Sequence, residues 1–195
     1  MEGDIFAEKN AMKKIYILLA ALGMLLCSSR VEAQNMYVST NLLDYLNIGT
    51  INGEFGLSPW PNWSFYARAR YNPFTLKLDR QYQNRTASAA IGAKYWFWYF
   101  GSGWFVNSHL GYSLYNTGGI WDKYAYEGNA YSFTAGGGYS LMLAKRWNLD
   151  FAMGIQGGYT SFTKYACPKC GKVLEEGKKL FVAPSNLLVQ LTLIL

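Results

Sequence analysis

The sequence predicts an all-β fold, an eight-stranded antiparallel up-and-down transmembrane β-barrel with short periplasmic turns and long outer loops. Only 15% of the 195 residues are charged, whereas soluble domains have roughly 25%. Apolar and polar residues alternate with a period of two in several segments, which is typical of strands whose two faces meet different surroundings. The mean hydropathy is -0.03, and beyond the N-terminal segment no apolar stretch reaches the ~18 residues that a spanning helix needs.

Residues 1–33 have the three parts of a secretory signal peptide. A basic head, Lys13-Lys14, precedes the apolar run 15–26, and a V-x-A cleavage motif ends at Ala33. We therefore expect a cleaved, exported protein whose mature part, 34–195, is a single barrel domain. The acidic residues near the N-terminus do not suit a signal head, which makes Met12 an alternative start.

The chain is basic, with a formal net charge of +6. The expected signal peptide carries equal numbers of basic and acidic residues, so its removal leaves this charge unchanged. A basic balance commonly indicates a nucleic-acid partner, but an exported protein meets little nucleic acid. We expect no such partner.

Eight segments of the mature chain alternate between apolar and polar residues. In the clearest of them, Trp63, Phe65 and Ala67 alternate with Ser64 and Tyr66, as in a strand with one apolar face. The predicted strands are 36–44, 48–58, 63–72, 85–98, 104–115, 130–143, 148–160 and 184–195.

The connections distinguish a barrel from a sandwich. Those after the second, fourth and sixth strands are compact, whereas those after the third, fifth and seventh are long, namely 73–84, 116–129 and 164–183. Short turns at one end and long loops at the other are typical of outer-membrane barrels. The first upper connection, near 43–47, is the exception because it is brief.

Aromatic residues fall at both ends of the predicted strands. The spacing between them matches the ~9 to 11 residues with which a tilted strand crosses a membrane, so we expect rings at both lipid interfaces. The alternative is a secreted sandwich with these rings in its core. Tryptophans stand beside the compact turns and tyrosines further along: Trp63, Trp104 and Trp147, then Tyr71, Tyr112 and Tyr159.

A closed eight-stranded sheet has an interior that side chains can fill, so we expect no diffusion channel. Closure is required because unpaired backbone amides are very costly in hydrocarbon. Charges inside the barrel need partners, and the alternation predicts a polar network with Glu54 beside Arg68 or Arg70. The expected lumenal residues are Glu54, Arg68, Arg70, Lys94, His109 and Asp150.

The longest predicted loop contains a C-x-x-C motif, Cys167 to Cys170. We expect a disulfide in an oxidising compartment; half of an intersubunit metal site and redox chemistry are the alternatives. His109 is the sole histidine, and a hydrolytic barrel would need it as a base beside Ser113 or Thr134. A hydrogen-bonded lumenal histidine is the simpler interpretation, so we expect no catalytic residue, cofactor or metal.

Five stretches of the mature chain carry a resemblance to a known family: Thr40-Asn41-Leu42-Leu43, Gly53-Glu54-Phe55-Gly56-Leu57, Ala93-Lys94-Tyr95-Trp96, Lys145-Arg146-Trp147-Asn148-Leu149 and the segment from Cys167 to Gly171. In these stretches the chain resembles a family of small exported barrels known as domain of unknown function 3575. Lys94 replaces the arginine that we expect after Ala93. The resemblance implies an outer-membrane location and, loosely, genes kept near fimbrial or surface-assembly genes, and it supplies no catalytic residues. More distantly, the architecture is similar to small OmpA- and OmpX-like barrels.

The expected function is therefore that of a non-enzymatic integral outer-membrane protein of a Gram-negative envelope, acting in envelope stability, adhesion or fimbria-associated contacts. Its expected partners are outer-membrane lipid and lipopolysaccharide, together with surface or fimbrial proteins that bind the outer loops. The lysine-rich segment 164–183 suits lipid phosphates or an acidic partner, although a solvated loop is the simpler explanation of the same residues. The alternatives are a lipid-modifying enzyme and a small hydrophobic-solute conduit.

Overall fold

The structure is a computed structural model that describes residues 35–47, 49–74, 83–118, 124–166, 171–185 and 187–195. It contains nine strands and one short helix in the described ranges. Their bounds are β1 Asn35–Asn41, α1 Leu42–Leu46, β2 Ile51–Trp60, β3 Trp63–Asn72, β4 Gln83–Trp96, β5 Gly103–Gly118, β6 Ala125–Ala144, β7 Trp147–Tyr165, β8 Val173–Pro184 and β9 Leu188–Ile194.

The strands close into an antiparallel barrel, as the sequence predicts. Each strand from β1 to β7 pairs with the next one along the chain, and β9 pairs with both β7 and β1. The ring therefore has eight strands. β8 and β9 lie end to end along β7, because β9 pairs with 147–152 and β8 pairs with 155–165.

Every second side chain along a strand points into the barrel interior. Along β3, Ser64, Tyr66 and Arg68 are buried, whereas Trp63 and Phe65 between them are exposed. The apolar and polar residues that alternate in the sequence therefore lie on the outer and the inner face of the barrel, respectively. We call the end with the turns at 61–62 and 145–146 the lower end, and the opposite end the upper end.

The predicted first strand, 36–44, is too long. β1 ends at Asn41, whose side chain accepts a hydrogen bond from the Leu43 amide and caps the helix α1. A cap of this kind satisfies a helical N–H that has no partner within the helix. No helix in the described part of the chain has the length and apolar character to cross a membrane.

The predicted upper loops are shorter than expected because the strands extend into them. β5 continues to Gly118 and β6 begins at Ala125, so most of the predicted loop 116–129 is strand. The predicted loop 164–183 likewise contains all of β8 except its last residue, Pro184. Four charged residues around a glycine hide the strand pattern in β8, and pairing with β7 stabilises it. Residues 167–170, including the C-x-x-C cysteines, lie outside the described residues, as do residues 1–34.

Candidate functional site

The polar residues of the chain gather inside the barrel. Among the described residues, 19 buried side chains are polar or charged and eight are hydrophobic. This reverses the usual composition of a protein core, where apolar residues predominate. The inner faces of the strands are therefore the place where chemistry can occur.

Three neighbouring strands bring a buried charge cluster together near the middle of the barrel. Glu54 on β2 stands directly opposite Arg68 on β3, and Oε2 of Glu54 accepts hydrogen bonds from Nε of Arg68 at 2.8 Å and from Nη2 at 2.5 Å. Oε1 of Glu54 accepts from Nζ of Lys94 on β4 at 2.7 Å. One carboxylate is thus shared by two cations, and all three side chains are buried.

Further groups complete this charge cluster. The Tyr37 hydroxyl and the Gln190 amide both donate to Glu54, each at 3.2 Å. The Lys94 ammonium lies 5.2 Å from the ring centres of both Tyr37 and Tyr66. Attraction to ring faces offsets part of the cost of burying a second cation.

A second ion pair lies nearer the upper end. Arg70 donates from Nε to Oδ2 of Asp44 at 2.7 Å and also from Nη2 to Oδ1. Asp44 belongs to α1, which places its carboxylate over the barrel interior, where it is buried. Arg70 therefore pairs with the helix, and Arg68 is the residue that pairs with Glu54.

Asp150 lies towards the lower end and bonds to hydroxyl groups. Its carboxylate accepts from Oγ of Ser140 at 2.5 Å and from Oγ1 of Thr192 at 2.9 Å. The Asn148 side chain donates to Ser140 and to the carbonyl of Gly101. These bonds connect β6, β7 and β9 to the connection between β4 and β5.

An aromatic group that we call the lower plug, formed by Tyr37, Trp96, Phe100 and Phe105, fills the lower end of the barrel. Phe100 comes from the β4–β5 connection, and its ring centre lies 5.4 Å from that of Tyr37 and 5.6 Å from that of Trp96. Trp96 also contacts Phe105 at 4.8 Å and donates to Oγ of Ser64. The turn between β4 and β5 thus folds into the lower mouth of the barrel.

The upper half of the interior is open by comparison and contains a polar cavity of about 260 Å³. His109 lines it, and Nδ1 of His109 lies 3.1 Å from the Tyr66 hydroxyl. Thr134 stands directly opposite His109 on β6, and Ser108 faces outward. Other lining residues include Arg70, Asn84, Ser88, Ser113, Tyr115 and Gln156.

His109 bonds to the Tyr66 hydroxyl, and no carboxylate among the described residues bonds to it. In the same part of the chain, no group of three or more histidine, cysteine, aspartate or glutamate side chains could hold a metal ion.

The family profile described as "Protein of unknown function (DUF3575)" matches residues 17–195. The chain belongs to the DUF3575 family. No curated protein and no solved structure matches it. The closed eight-stranded barrel is therefore the fold in which this DUF3575 chain presents the residues described above.

The structure of this DUF3575 chain places all six predicted lumenal side chains on inner faces but divides them among different groups. Glu54, Arg68 and Lys94 meet, whereas Arg70, His109 and Asp150 each have other partners. Sequence reasoning missed Asp44 because it lay at the end of a predicted strand. Its only sequence signal is the Asn41 cap three residues earlier, which is typical of a helix start.

Proposed function

We propose that this DUF3575 protein is an integral outer-membrane barrel whose strands lie in lipid and whose upper hairpins, β5–β6 and β7–β8, make contacts at the cell surface. The observation that supports it is the distribution of side chains, with apolar groups outside the closed sheet and polar groups inside. Monomeric soluble proteins rarely expose contiguous apolar patches larger than a few hundred Å². Outward residues at mid-height include Ile91, Leu110, Phe133, Met153 and Ile155, all exposed.

The aromatic residues support the same placement. Trp63, Trp104 and Trp147 are exposed near the lower end of their strands. Tyr112 and Tyr159 are exposed further up on the same outer face. Such rings are enriched at the two interfaces of a bilayer, where one edge is apolar and the other wet.

The packed interior favours a structural role over a conduit. The lower plug fills one mouth of the barrel, and the cluster around Glu54 fills its middle. A solute would have to displace both groups to pass. An eight-stranded barrel leaves little space beyond its own side chains, and we therefore propose no transport function.

The surroundings of His109 favour a non-enzymatic role. Hydrolysis of a lipid would need this histidine as a base with an orienting acid and a nucleophile beside it. Glu54, Asp44 and Asp150 are bonded to other groups, and the bond that His109 makes is with the Tyr66 hydroxyl. We propose that His109 belongs to the polar filling of the barrel.

Membrane fractionation tests the proposed location. Cells that express the full chain should retain it in the outer-membrane fraction until detergent is added. The extracted protein should migrate faster in gel electrophoresis when it is not heated, because a closed barrel resists unfolding by detergent. Full recovery in the soluble periplasm without detergent would contradict the proposal.

A further inference from the structure

One strand edge at the upper end of the barrel has no partner strand among the described residues. β8 pairs with β7 along one side, and it forms one end of the strand order of the sheet. An exposed edge presents backbone N–H and C=O groups that can pair with another strand, which natural proteins usually prevent. β8 has 12 residues, a sufficient length for a partner strand.

The charges of β8 reverse in sign about Gly177. Glutamates precede this glycine and lysines follow it, with a leucine beyond the charges on each side. In an antiparallel pair of two β8 strands centred on Gly177, each glutamate stands opposite a lysine. Opposite charges directly across a strand pair stabilise it, and like charges destabilise it. The facing pairs are Glu176 with Lys178, Glu175 with Lys179, and Leu174 with Leu180.

The pairing of opposite charges depends on the register and the relative direction of the two β8 strands. If the centre moves to Glu176, that residue faces its own copy, and if it moves to Lys178, two lysines face each other. A parallel pair in register places every charge opposite its own kind. Antiparallel pairing about Gly177 therefore gives more opposite-charge contacts than these alternatives do.

The side chains that this pairing needs are accessible. Glu175, Glu176, Lys178 and Lys179 are all exposed, and none of them has an ion-pair partner in the described chain. The Lys179 ammonium lies over the ring of Phe162 at 5.1 Å, which leaves it at the surface. Leu180 is 81% exposed, so it would gain apolar burial from a facing leucine.

We propose that β8 is a homophilic contact, in which the β8 edges of two copies of this chain pair antiparallel about Gly177. The contact is isologous, because each copy contributes the same surface. It rests on the proposed function and deepens it by naming the partner of the upper hairpin β7–β8. Pairing extends the sheet of one molecule into the other and covers both unpaired edges.

The geometry of the pair sets the relative orientation of the two molecules. The two-fold axis of an antiparallel strand pair is perpendicular to the sheet. Since β8 continues the barrel sheet through β7, the two barrels extend from opposite ends of the joined sheet. The contact therefore suits molecules in two facing membranes, and it can also form between two molecules in detergent.

Charge reversal tests the contact in the purified full chain. The wild type should be a concentration-dependent dimer in detergent, measured by analytical ultracentrifugation at low salt. E175K/E176K and K178E/K179E should each dimerise at least tenfold more weakly, because all facing charges then repel. An equimolar mixture of the two variants should restore a dimer, since four lysines on one strand face four glutamates on the other.

A matched control separates this contact from a general effect of charge. K145E/R146E makes the same change in net charge as K178E/K179E but in the exposed lower turn, and it should dimerise like the wild type. Each variant should first show an unchanged β-sheet circular dichroism spectrum. A monomeric wild type at all concentrations, or a mixture that stays monomeric, would overturn the contact.

This result is independent of the fractionation experiment. A chain that fractionates with the outer membrane but never dimerises overturns the contact alone. A chain recovered in the soluble periplasm overturns the proposed function, whatever its mass in solution. Dimers that form equally well with either charge-reversed variant alone would show that β8 is not the interface.

Discussion

Glu54 is the central hydrogen-bond acceptor of the buried charge cluster. It accepts hydrogen bonds from Tyr37, Arg68, Lys94 and Gln190. Those residues lie on β1, β3, β4 and β9, so together with β2 this carboxylate connects five consecutive strands of the ring. Because β9 and β1 form the closure, the cluster also spans the place where the barrel shuts.

We predict that Glu54→Gln destabilises the protein by about 3–5 kcal/mol, the cost of leaving buried charge without its partner. The substitution keeps the volume of the side chain, so no cavity contributes. Urea unfolding followed by tryptophan fluorescence measures the change. Glu127→Gln is the matched control, because Glu127 is exposed and its change should stay within about 0.5 kcal/mol. Equal effects of the two variants would contradict the role of the cluster.

Glycines allow β6 and β7 to approach each other closely. Gly136 stands opposite Gly154, and a Cβ added to Gly154 would lie 2.3 Å from the carbonyl oxygen of Ala135. That contact is with backbone, which cannot move aside cheaply. A Cβ added to Gly157 in the same strand would meet its nearest atom at 3.7 Å, an ordinary contact.

Gly154→Ala should therefore destabilise the barrel by about 1–3 kcal/mol, the usual cost of overpacking. Gly157→Ala should cause no loss of stability, since its methyl group has space. Thermal unfolding of both variants under identical conditions checks this. A Gly157→Ala loss as large as that of Gly154→Ala would show that the close approach of the strands is not the cause.

At the scale of elements, the β4–β5 connection closes the lower end. The Gly101 carbonyl accepts hydrogen bonds from Asn148 and Ser140, and the Phe100 amide donates to the Pro61 carbonyl at 2.7 Å. Gly101 has a φ of +75°, which glycine adopts at little steric cost. These bonds hold Phe100 between the rings of the lower plug.

Phe100→Ala should cost about 3 kcal/mol, because it leaves a cavity among aromatic rings that cannot collapse. Phe97→Ala is the matched control in the same connection, since Phe97 is exposed, and it should have a clearly smaller effect. Denaturant unfolding compares the two. If Phe97→Ala were the more damaging change, the lower plug would not stabilise the barrel.

The elements also show what sequence can predict. Alternation identifies the inner and outer faces, and it placed Glu54, Arg68 and Lys94 in the lumen. It does not distinguish Arg68 from Arg70 as the partner of Glu54, because both lie on the same face two residues apart. That choice depends on the register between β2 and β3, which the pairing of whole strands sets.

Two elements were not predicted from the sequence, the helix α1 and the strand β8. α1 is stabilised by the Asn41 cap and by the Asp44 to Arg70 ion pair, a contact across the chain that local pattern cannot reveal. β8 has a polar pattern with an internal glycine, and its pairing with β7 determines its structure. In both cases tertiary contacts override the local propensity of the segment.

At the scale of the whole molecule, the barrel has a polar interior and an apolar exterior. A protein in water gains stability by the opposite arrangement. In a bilayer such an arrangement is stable, since an apolar outer face meets acyl chains and a closed sheet pairs its backbone groups between neighbouring strands. The placement of the outer face in lipid is therefore the central claim of the proposed function.

The most direct measurement of this claim is the unfolding free energy of Met153→Arg in phospholipid vesicles. Met153 is 69% exposed at mid-height on β7, so in water an arginine there would be nearly neutral. In a bilayer the substitution should cost about 2–4 kcal/mol, whereas Leu46→Arg at the upper end should cost about 1 kcal/mol or less. Leu46 is 83% exposed and serves as the matched control. Equal and negligible effects of both substitutions would contradict a lipid-facing barrel.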